Sequence, residues 1–401
     1  MTNMNELILV ALSLANLALL LPVAIFAVEI FTAVGRRRRH PLPLPASRPA
    51  AAVLVPAHDE EQGVAETVIA LRAQLGPHDR LLVVADNCSD ATATLAREAG
   101  AEVIERHDPQ RRGKGFALDF GIRHLEKSPP EVVVIVDADC QLGAGSLDRL
   151  VAQASTSGRP AQGLYLMSAP PGGGLNMQVA ELAFLIKNRV RPAGLHRLGL
   201  PCHLTGSGMA FPWAVIRDAD LAHDSLVEDM RLGIDLALAG TPAQFCEDAR
   251  IDSHFPFSET GAASQRRRWE EGHIGMIASA LGRLPVAIRS GSPGCVALVL
   301  DVLVPPLTLL LVLVAASFTI TAVATWALSL GQFALIVSTV TVGLFLVAAL
   351  AAWTAYGREA LPPRSVLRVV PYILRKSLLY PRLALGSRVG AWVRTDRGRP
   401  D

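Results

Sequence analysis

The chain has 401 residues and a net charge of +2, and it is 51% hydrophobic with only 18% charged side chains. A mean hydropathy of +0.34 is too high for a wholly soluble enzyme and too low for a chain built only of membrane spans. Five dispersed cysteines without a Cys-x-x-Cys pair argue against a disulfide framework and a zinc site, and they fit a reducing compartment.

Residues 7–34 form an apolar run broken only by Pro22 and Glu29, long enough to cross a hydrocarbon core of about 30 Å. A cleaved signal peptide fits poorly, because the run is long, carries no Lys or Arg before it and shows no small-x-small site before the charges that follow. Those charges are Arg36-Arg37-Arg38-Arg39-His40. The positive-inside rule places them in the cytoplasm, hence the N-terminus outside. Residues 1–35 are read as a transmembrane helix and 36–50 as a basic, proline-rich linker.

From Ala51 the pattern becomes that of a soluble domain, expected over 51–290. Strands at 51–56, 81–85 and 101–105 alternate with helices at 62–75, 91–99 and 114–124. The strand Val132-Val133-Val134-Ile135-Val136 has five β-branched residues in a row, the mark of burial on both faces. This order predicts an α/β fold with a mostly parallel sheet and helices on both faces. Three strand ends carry acids: Asp59 and Glu60 after His58, then Asp86, then Asp137-Ala138-Asp139. They share one rim, where open α/β sheets bind ligands.

Two carboxylates one residue apart raise each other's pKa unless a cation lies between them. Asp137 and Asp139 are therefore candidate ligands of a hard divalent ion, Mg²⁺ or Mn²⁺, shared with phosphate oxygens. For the pair alone, a solvated strand end with two turn aspartates is the competing reading. Gly113-Lys114-Gly115 lacks the Ser or Thr of a P-loop, and no Gly-x-Gly-x-x-Gly follows the first strand.

Residues 175–190 are amphipathic, with Lys187, Arg189, Arg191 and Arg197 as basic groups in and beyond them. They suit either a core-facing helix with a solvated side or a helix on the membrane surface. The turn Thr205-Gly206-Ser207-Gly208 lets a ligand approach the backbone. Glu228-Asp229 open a helix, where stabilisation of the helix dipole is the plain alternative to chemistry. Gln265, Arg268 and Trp269 share one face of a helix over 262–282, and Arg266 and Arg267 point elsewhere, toward lipid phosphates. Apolar segments 296–328 and 332–353 then predict a transmembrane hairpin within 295–355. The basic tail 356–401 includes an amphipathic stretch at 364–380 and is expected in the cytoplasm or interface.

Taken in order, Asp86, Asp137-Ala138-Asp139, Glu228-Asp229 and Gln265-x-x-Arg268-Trp269 resemble the motif series of family-2 glycosyltransferases of the GT-A fold. The resemblance is to the membrane-embedded branch that includes cellulose, chitin and hyaluronan synthases and ceramide glucosyltransferase, and it covers about residues 51–285. It implies a Rossmann-like nucleotide-sugar domain flanked by one N-terminal and two C-terminal transmembrane helices. Pro56, His58, Glu60, Asp86, Lys114 and Asp137 are then expected on the donor, a UDP-sugar, with a surface lysine the alternative for Lys114. Asp139, with Asp137, is expected on the metal; Asp229, beside Glu228, as the base; Gln265, Arg268 and Trp269 at the leaving group and sugar. Thr205, Gly206, Ser207 and Trp269 match the acceptor-lining segment, while Val227 stands where the family carries Thr. The implied partners are a glycan or lipid-linked acceptor, membrane lipids and polysaccharide assembly proteins, with no nucleic acid. The implied reaction is inverting and belongs to extracellular polysaccharide synthesis at a bacterial inner membrane. Single-sugar transfer to a polyprenyl-phosphate or ceramide-like lipid, and a non-catalytic scaffold of the same fold, are the other readings.

Overall fold

Side-chain alternation along the first strands decides which layer each residue joins. The computed structural model describes residues 2–35 and 47–377, apart from Pro171, Asp224, Leu226 and Phe257. The Arg36–His40 cluster, most of the proline-rich linker and the basic tail beyond Ser377 lie outside the described residues.

The elements run α1 (Thr2–Gly35), β1 (Ala51–Ala57), α2 (Val64–Arg72), β2 (Arg80–Asp86), α3 (Thr92–Glu98), β3 (Glu102–Arg106), α4 (Lys114–Leu125) and β4 (Val132–Ile135). They continue with β5 (Gln141–Leu142), α5 (Ser146–Ser157), β6 (Ala161–Ser168), α6 (Leu175–Leu185), α7 (Arg191–Arg197), β7 (Met209–Pro212), α8 (Trp213–Ile216), α9 (Glu228–Leu238) and β8 (Gln244–His254). After these come α10 (Glu259–Arg289), α11 (Pro293–Asp301), α12 (Leu307–Leu328), α13 (Phe333–Ala352) and α14 (Pro363–Ser377).

One sheet of eight strands has the order β3-β2-β1-β4-β7-β6-β8-β5. Val53, Val55, Val83, Val132 and Val134 pack on one face with α2 and α5. Leu54, Leu82, Val84, Val133 and Ile135 pack on the other with α4 and α9. The period of two thus fills both layers, as a doubly covered sheet requires. The chain runs outward from β1 to β3 and then returns to β4 on the other side of β1. The carboxyl ends of β1 and β4 therefore flank a topological switch point, the usual crevice for a ligand. Beyond β4 the pairing is mixed: β7 is antiparallel to both β4 and β6, and β6 is parallel to β8.

Three described helices are long and apolar enough to cross a membrane: Met4–Gly35, Leu307–Leu328 and Phe333–Gly357. Phe26 of α1 stacks on Phe345 of α13 with centroids 5.7 Å apart. Asn16 donates to Thr321 Oγ1 at 3.0 Å and accepts from Ser317 at 2.9 Å, so polar groups fasten α1 to α12.

Two sequence expectations change here. The apolar stretch 296–328 is not one span: α11 ends at Asp301, and Pro305-Pro306 force an extended link before α12 starts. Asp301 thereby leaves the hairpin. The amphipathic stretch 175–190 extends to Arg197 through a π-helical turn at Ile186–Val190; it faces the core, as one of its two readings had it, but its arginines are not a plain solvated side. Ile186, Val190 and Ala193 pack against Val23, Phe26 and Ile30 of α1. Its arginines are used internally. Arg191 pairs with Glu29 at 2.6 Å and with Asp301, while His203 Nε2 lies 3.0 Å from the second Asp301 oxygen without hydrogen-bond alignment. Arg189 stacks over Tyr356 at 5.2 Å, and Arg197 donates to the Ala33 carbonyl at the end of α1.

Candidate active site

Two neighbouring cavities open at the rim of the sheet. The smaller, about 150 Å³, is lined by Pro56, His58, Glu60, Asp86, Asp137 and Asp139. The larger, about 260 Å³, is lined by Thr205, Gly206, Glu228, Asp229, Gln265 and Trp269, among others. Gly113, Lys114, Asp137 and Arg268 face both, so they form the partition.

Lys114 occupies the first position of α4. The next residue must be Gly115, because a Cβ there would collide with the Leu221 carbonyl. The ammonium lies 2.5 Å from Asp137 Oδ1 and 3.9 Å from Glu228 Oε1, and it donates to the Gly206 carbonyl at 2.6 Å. Burial alone would lower its pKa, but the surrounding Asp137 and Glu228 carboxylates outweigh that and raise it. The alternative of a plain surface lysine is thereby removed.

On the smaller cavity, Asp86 is buried and paired with Arg106 at 2.6 Å. The parallel register sets these two side by side at the ends of β2 and β3. His58 Nδ1 lies 2.6 Å from the Asp86 carbonyl. Asp139 Oδ2 accepts from Ser253 at 2.8 Å. Ligand atoms of Asp137, Asp139 and Cys140 lie within 4.8 Å of one another. Burial pushes the Cys140 thiol up to about 12, so it remains protonated, and the two carboxylates are the groups suited to a hard cation.

On the larger cavity, Glu228 and Asp229 form the first turn of α9. Burial and the neighbouring Asp229 raise Glu228 to about 7 against the pull of Lys114. Burial also raises Asp229, opposed by Lys187 and Lys114. Val227 packs against Met276 and Ala280 of α10, which accounts for an apolar residue at that position. Gln265 is buried with its Oε1 unpaired, and Thr205 Oγ1 is likewise buried without a partner. His273 donates Nε2–H to the Val302 carbonyl at 3.0 Å, and burial lowers its pKa to about 3.

Some placements differ from expectation. Ser207 is fully buried and lines neither cavity; its hydroxyl accepts from the Asp137 backbone N–H at 3.1 Å, holding the strand end. Trp269 packs on Phe184, with centroids 5.7 Å apart, so part of its ring is covered. Arg267 pairs with Glu271 at 2.6 Å and Arg266 reaches the Asn176 carbonyl at 3.5 Å; both meet protein where lipid phosphate was expected. Sequence reasoning missed Arg106, Ser253 and Gln162, whose side-chain Oε1 accepts from Thr205 N–H at 2.8 Å. Only Arg106 left a signal, as the residue following the third expected strand.

Residues 49–272, more than half of the chain, match the family described as Glycosyltransferase like family 2. The chain belongs to glycosyltransferase family 2. An uncharacterized glycosyltransferase of Mycobacterium tuberculosis (strain H37Rv) is 36% identical to this family-2 chain over 104 residues, 26% of this chain and 43% of the relative. The chain thus matches less than half the length of that relative. A probable glycosyltransferase of Bacillus subtilis, YdaM, is 34% identical over 99 residues, 23% of each chain. Among solved structures, mannosyltransferase PcManGT from Pyrobaculum calidifontis, in complex with GDP-Man and Mn²⁺, is 18% identical with a TM-score of 0.49. That alignment covers 93% of this chain and 96% of the other.

Proposed function

We propose that this chain is an inverting, metal-dependent glycosyltransferase that moves a sugar from a nucleoside-diphosphate sugar to a glycan or lipid-linked acceptor. A UDP-sugar is the donor and extracellular polysaccharide synthesis the setting. The carrying observation is the partition: Lys114, Asp137 and Arg268 face a carboxylate-lined cavity on one side and the Glu228–Asp229 cavity on the other. A donor in the first and an acceptor in the second would meet across it.

In this reading Asp139 and Asp137 hold a divalent ion. When bound, that ion supplies charge stabilisation to a departing diphosphate. His58, Glu60 and Asp86 orient the nucleoside, and Arg106 keeps the Asp86 carboxylate in place. An acceptor oxygen forms a bond to the anomeric carbon as the bond from that carbon to the phosphate oxygen breaks. The nucleoside diphosphate leaves with the electron pair, and the acceptor proton passes to Asp229. Arg268 and Lys114 face the leaving group with positive charge. Gln265 and Thr205 offer buried, unpaired oxygens to acceptor hydroxyls, and Trp269 offers part of its ring to a sugar. Attack opposite the leaving group inverts the centre.

Residues 51–290 serve as the cytoplasmic transfer domain, with 1–35 and 295–355 as its membrane parts, 36–50 as linker, 356–401 as tail and the N-terminus outside. The test is full-length protein in detergent given a panel of nucleotide sugars with Mn²⁺ or Mg²⁺, scored for released nucleoside diphosphate. Asp139→Asn is expected to abolish release. Near-normal turnover of that variant in chelator-treated buffer would refute the metal assignment.

A further inference from the structure

The turn Thr205-Gly206-Ser207-Gly208 leads into β7, and one buried side chain from the neighbouring strand β6 spans it. That side chain is Gln162, which is 1% exposed and lines neither cavity. Its Oε1 accepts from the Thr205 N–H at 2.8 Å, and its Nε2 donates to the Ser207 carbonyl at 3.0 Å and to the Gly163 carbonyl at 2.8 Å. The partners fix which way the amide points, because an N–H needs the oxygen and the carbonyls need the nitrogen.

Gly206 sits between the two clamped residues. Its φ of +91° is open to glycine at little cost, and glycine also lets the peptide that follows it turn over with few clashes. Such a flip would carry the Gly206 carbonyl away from Lys114, which donates to it at 2.6 Å. Each peptide unit is planar, so pinning the Thr205 nitrogen and the Ser207 carbonyl leaves the two units between them little freedom to rotate. Beyond the clamp, Gly208 is tied to strands on both sides. Its N–H donates to the Ile135 carbonyl at 2.9 Å, and its carbonyl accepts from the Gly163 N–H at 2.8 Å. An amide buried in a strand is unfavourable unless its bonds are made, and an apolar side chain would fill the layer without that demand. The turn it holds accounts for an amide at position 162.

We propose that Gln162 is a positioning residue of the transfer site: by clamping Thr205 and Ser207 it holds the Gly206 carbonyl on the Lys114 ammonium, and so keeps that cation in the wall between the cavities. This rests on the transfer reading above, in which Lys114 faces the leaving group. Gln162 itself touches neither donor nor acceptor.

The test uses the full chain in detergent and begins without substrate. Trace acetylation with acetic anhydride, read by mass spectrometry, compares Lys114 with the exposed Lys127 of the same molecules. Gln162→Met removes the clamp while keeping a side chain of similar length. The ratio of Lys114 to Lys127 labelling is then expected to rise at least about fivefold, because an ammonium that loses a stabilising partner gives up its proton more readily. An unchanged ratio in folded Gln162→Met overturns the proposal. Should that variant not fold, Gln162→Glu carries the same measurement. A neutral carboxyl keeps one donor and one acceptor for the clamp, whereas the ionised form has no proton for the Ser207 carbonyl. Its labelling ratio, taken against the natural chain at each pH, should therefore rise as pH increases, and a ratio flat with pH overturns the proposal.

Release of nucleoside diphosphate from the nucleotide-sugar panel with Mn²⁺ separates positioning from plain stability. Gln162→Met should lower kcat/KM about tenfold in the natural chain but less than about twofold in Lys114→Met, since both changes act on one cation. Equal losses in the two backgrounds would mean that Gln162 only supports the fold, and they overturn the assignment. No release from any nucleotide sugar by the natural chain counts against the transfer reading, and the labelling result then decides the clamp by itself.

Discussion

The Lys114 ammonium and the Asp137 carboxylate are 2.5 Å apart, in the wall between the two cavities. Because the same ammonium also lies 3.9 Å from Glu228, one cation holds together acids belonging to both. Lys114→Met should lower kcat/KM by about 10²-fold, the loss typical of removing one preorganised charge-stabilising donor. Lys114→Arg should recover little of this, since a planar fork does not replace a compact ammonium seated on the Gly206 carbonyl. Steady-state kinetics of the two variants test this.

The raised carboxyls set the pH dependence. A base must be ionised, and burial raises Asp229, so the acid limb of kcat/KM should lie above the ordinary carboxylate range; Glu228 beside it is raised to about 7. Stability runs the opposite way. The folded protein holds this proton more tightly than the unfolded chain, so the contribution is fully present below about 4.5 and is lost as pH rises through about 7. Glu228→Gln should flatten that part of the unfolding profile, as read by thermal melts across pH.

Gly206 has φ +91°, and a Cβ there would sit 3.3 Å from Asp229 Oδ2 and 3.6 Å from Lys114 Nζ. Gly206→Ala should cost about 1–2 kcal/mol in backbone strain and crowd the space an acceptor oxygen needs. Activity should fall mainly through the acceptor KM and the rate, with nucleotide-sugar affinity held. Calorimetry with the donor, set beside acceptor kinetics, separates these effects.

The rim was legible in the sequence because a strand buried on both faces must end somewhere, and acids at such an end are costly without a use. Val132–Ile135 and the aspartates beyond it follow from that rule. The strands β6 and β8 did not declare themselves. AQGLYLMS contains no β-branched residue, and QFCEDARIDSH carries four charges on a strand with a register shift opposite Gly163–Leu164. The helical spacing of Gln265, Arg268 and Trp269 brought them to one cavity, yet it could not show Phe184 against the indole. The Glu29–Arg191–Asp301 group was out of reach for another reason: its members are 162 and 110 residues apart, so only the folded packing reveals it.

That ionic group gives a stability prediction. Arg191→Met leaves two buried carboxylates without their guanidinium and should destabilise the protein by about 3–5 kcal/mol. Adding Glu29→Leu and Asp301→Leu should recover most of the loss, because a buried ion set is worth little more than apolar side chains of similar volume. Thermal unfolding of the detergent-solubilised variants decides it, and a triple variant no more stable than Arg191→Met would show that the charges contribute more than their mutual pairing.

The N-terminal helix gives Phe26 to a cavity wall and Glu29 to Arg191. A tether that only fixes a protein to a bilayer can be swapped for any apolar segment of equal length. Here a chimaera carrying a foreign first helix would keep an apolar segment but would lack one wall of the larger cavity. Tolerance to change in this helix should therefore divide lengthwise, with a stripe through Phe26, Glu29, Ile30 and Ala33 held fixed and outward-facing Val28 and Phe31 free to vary.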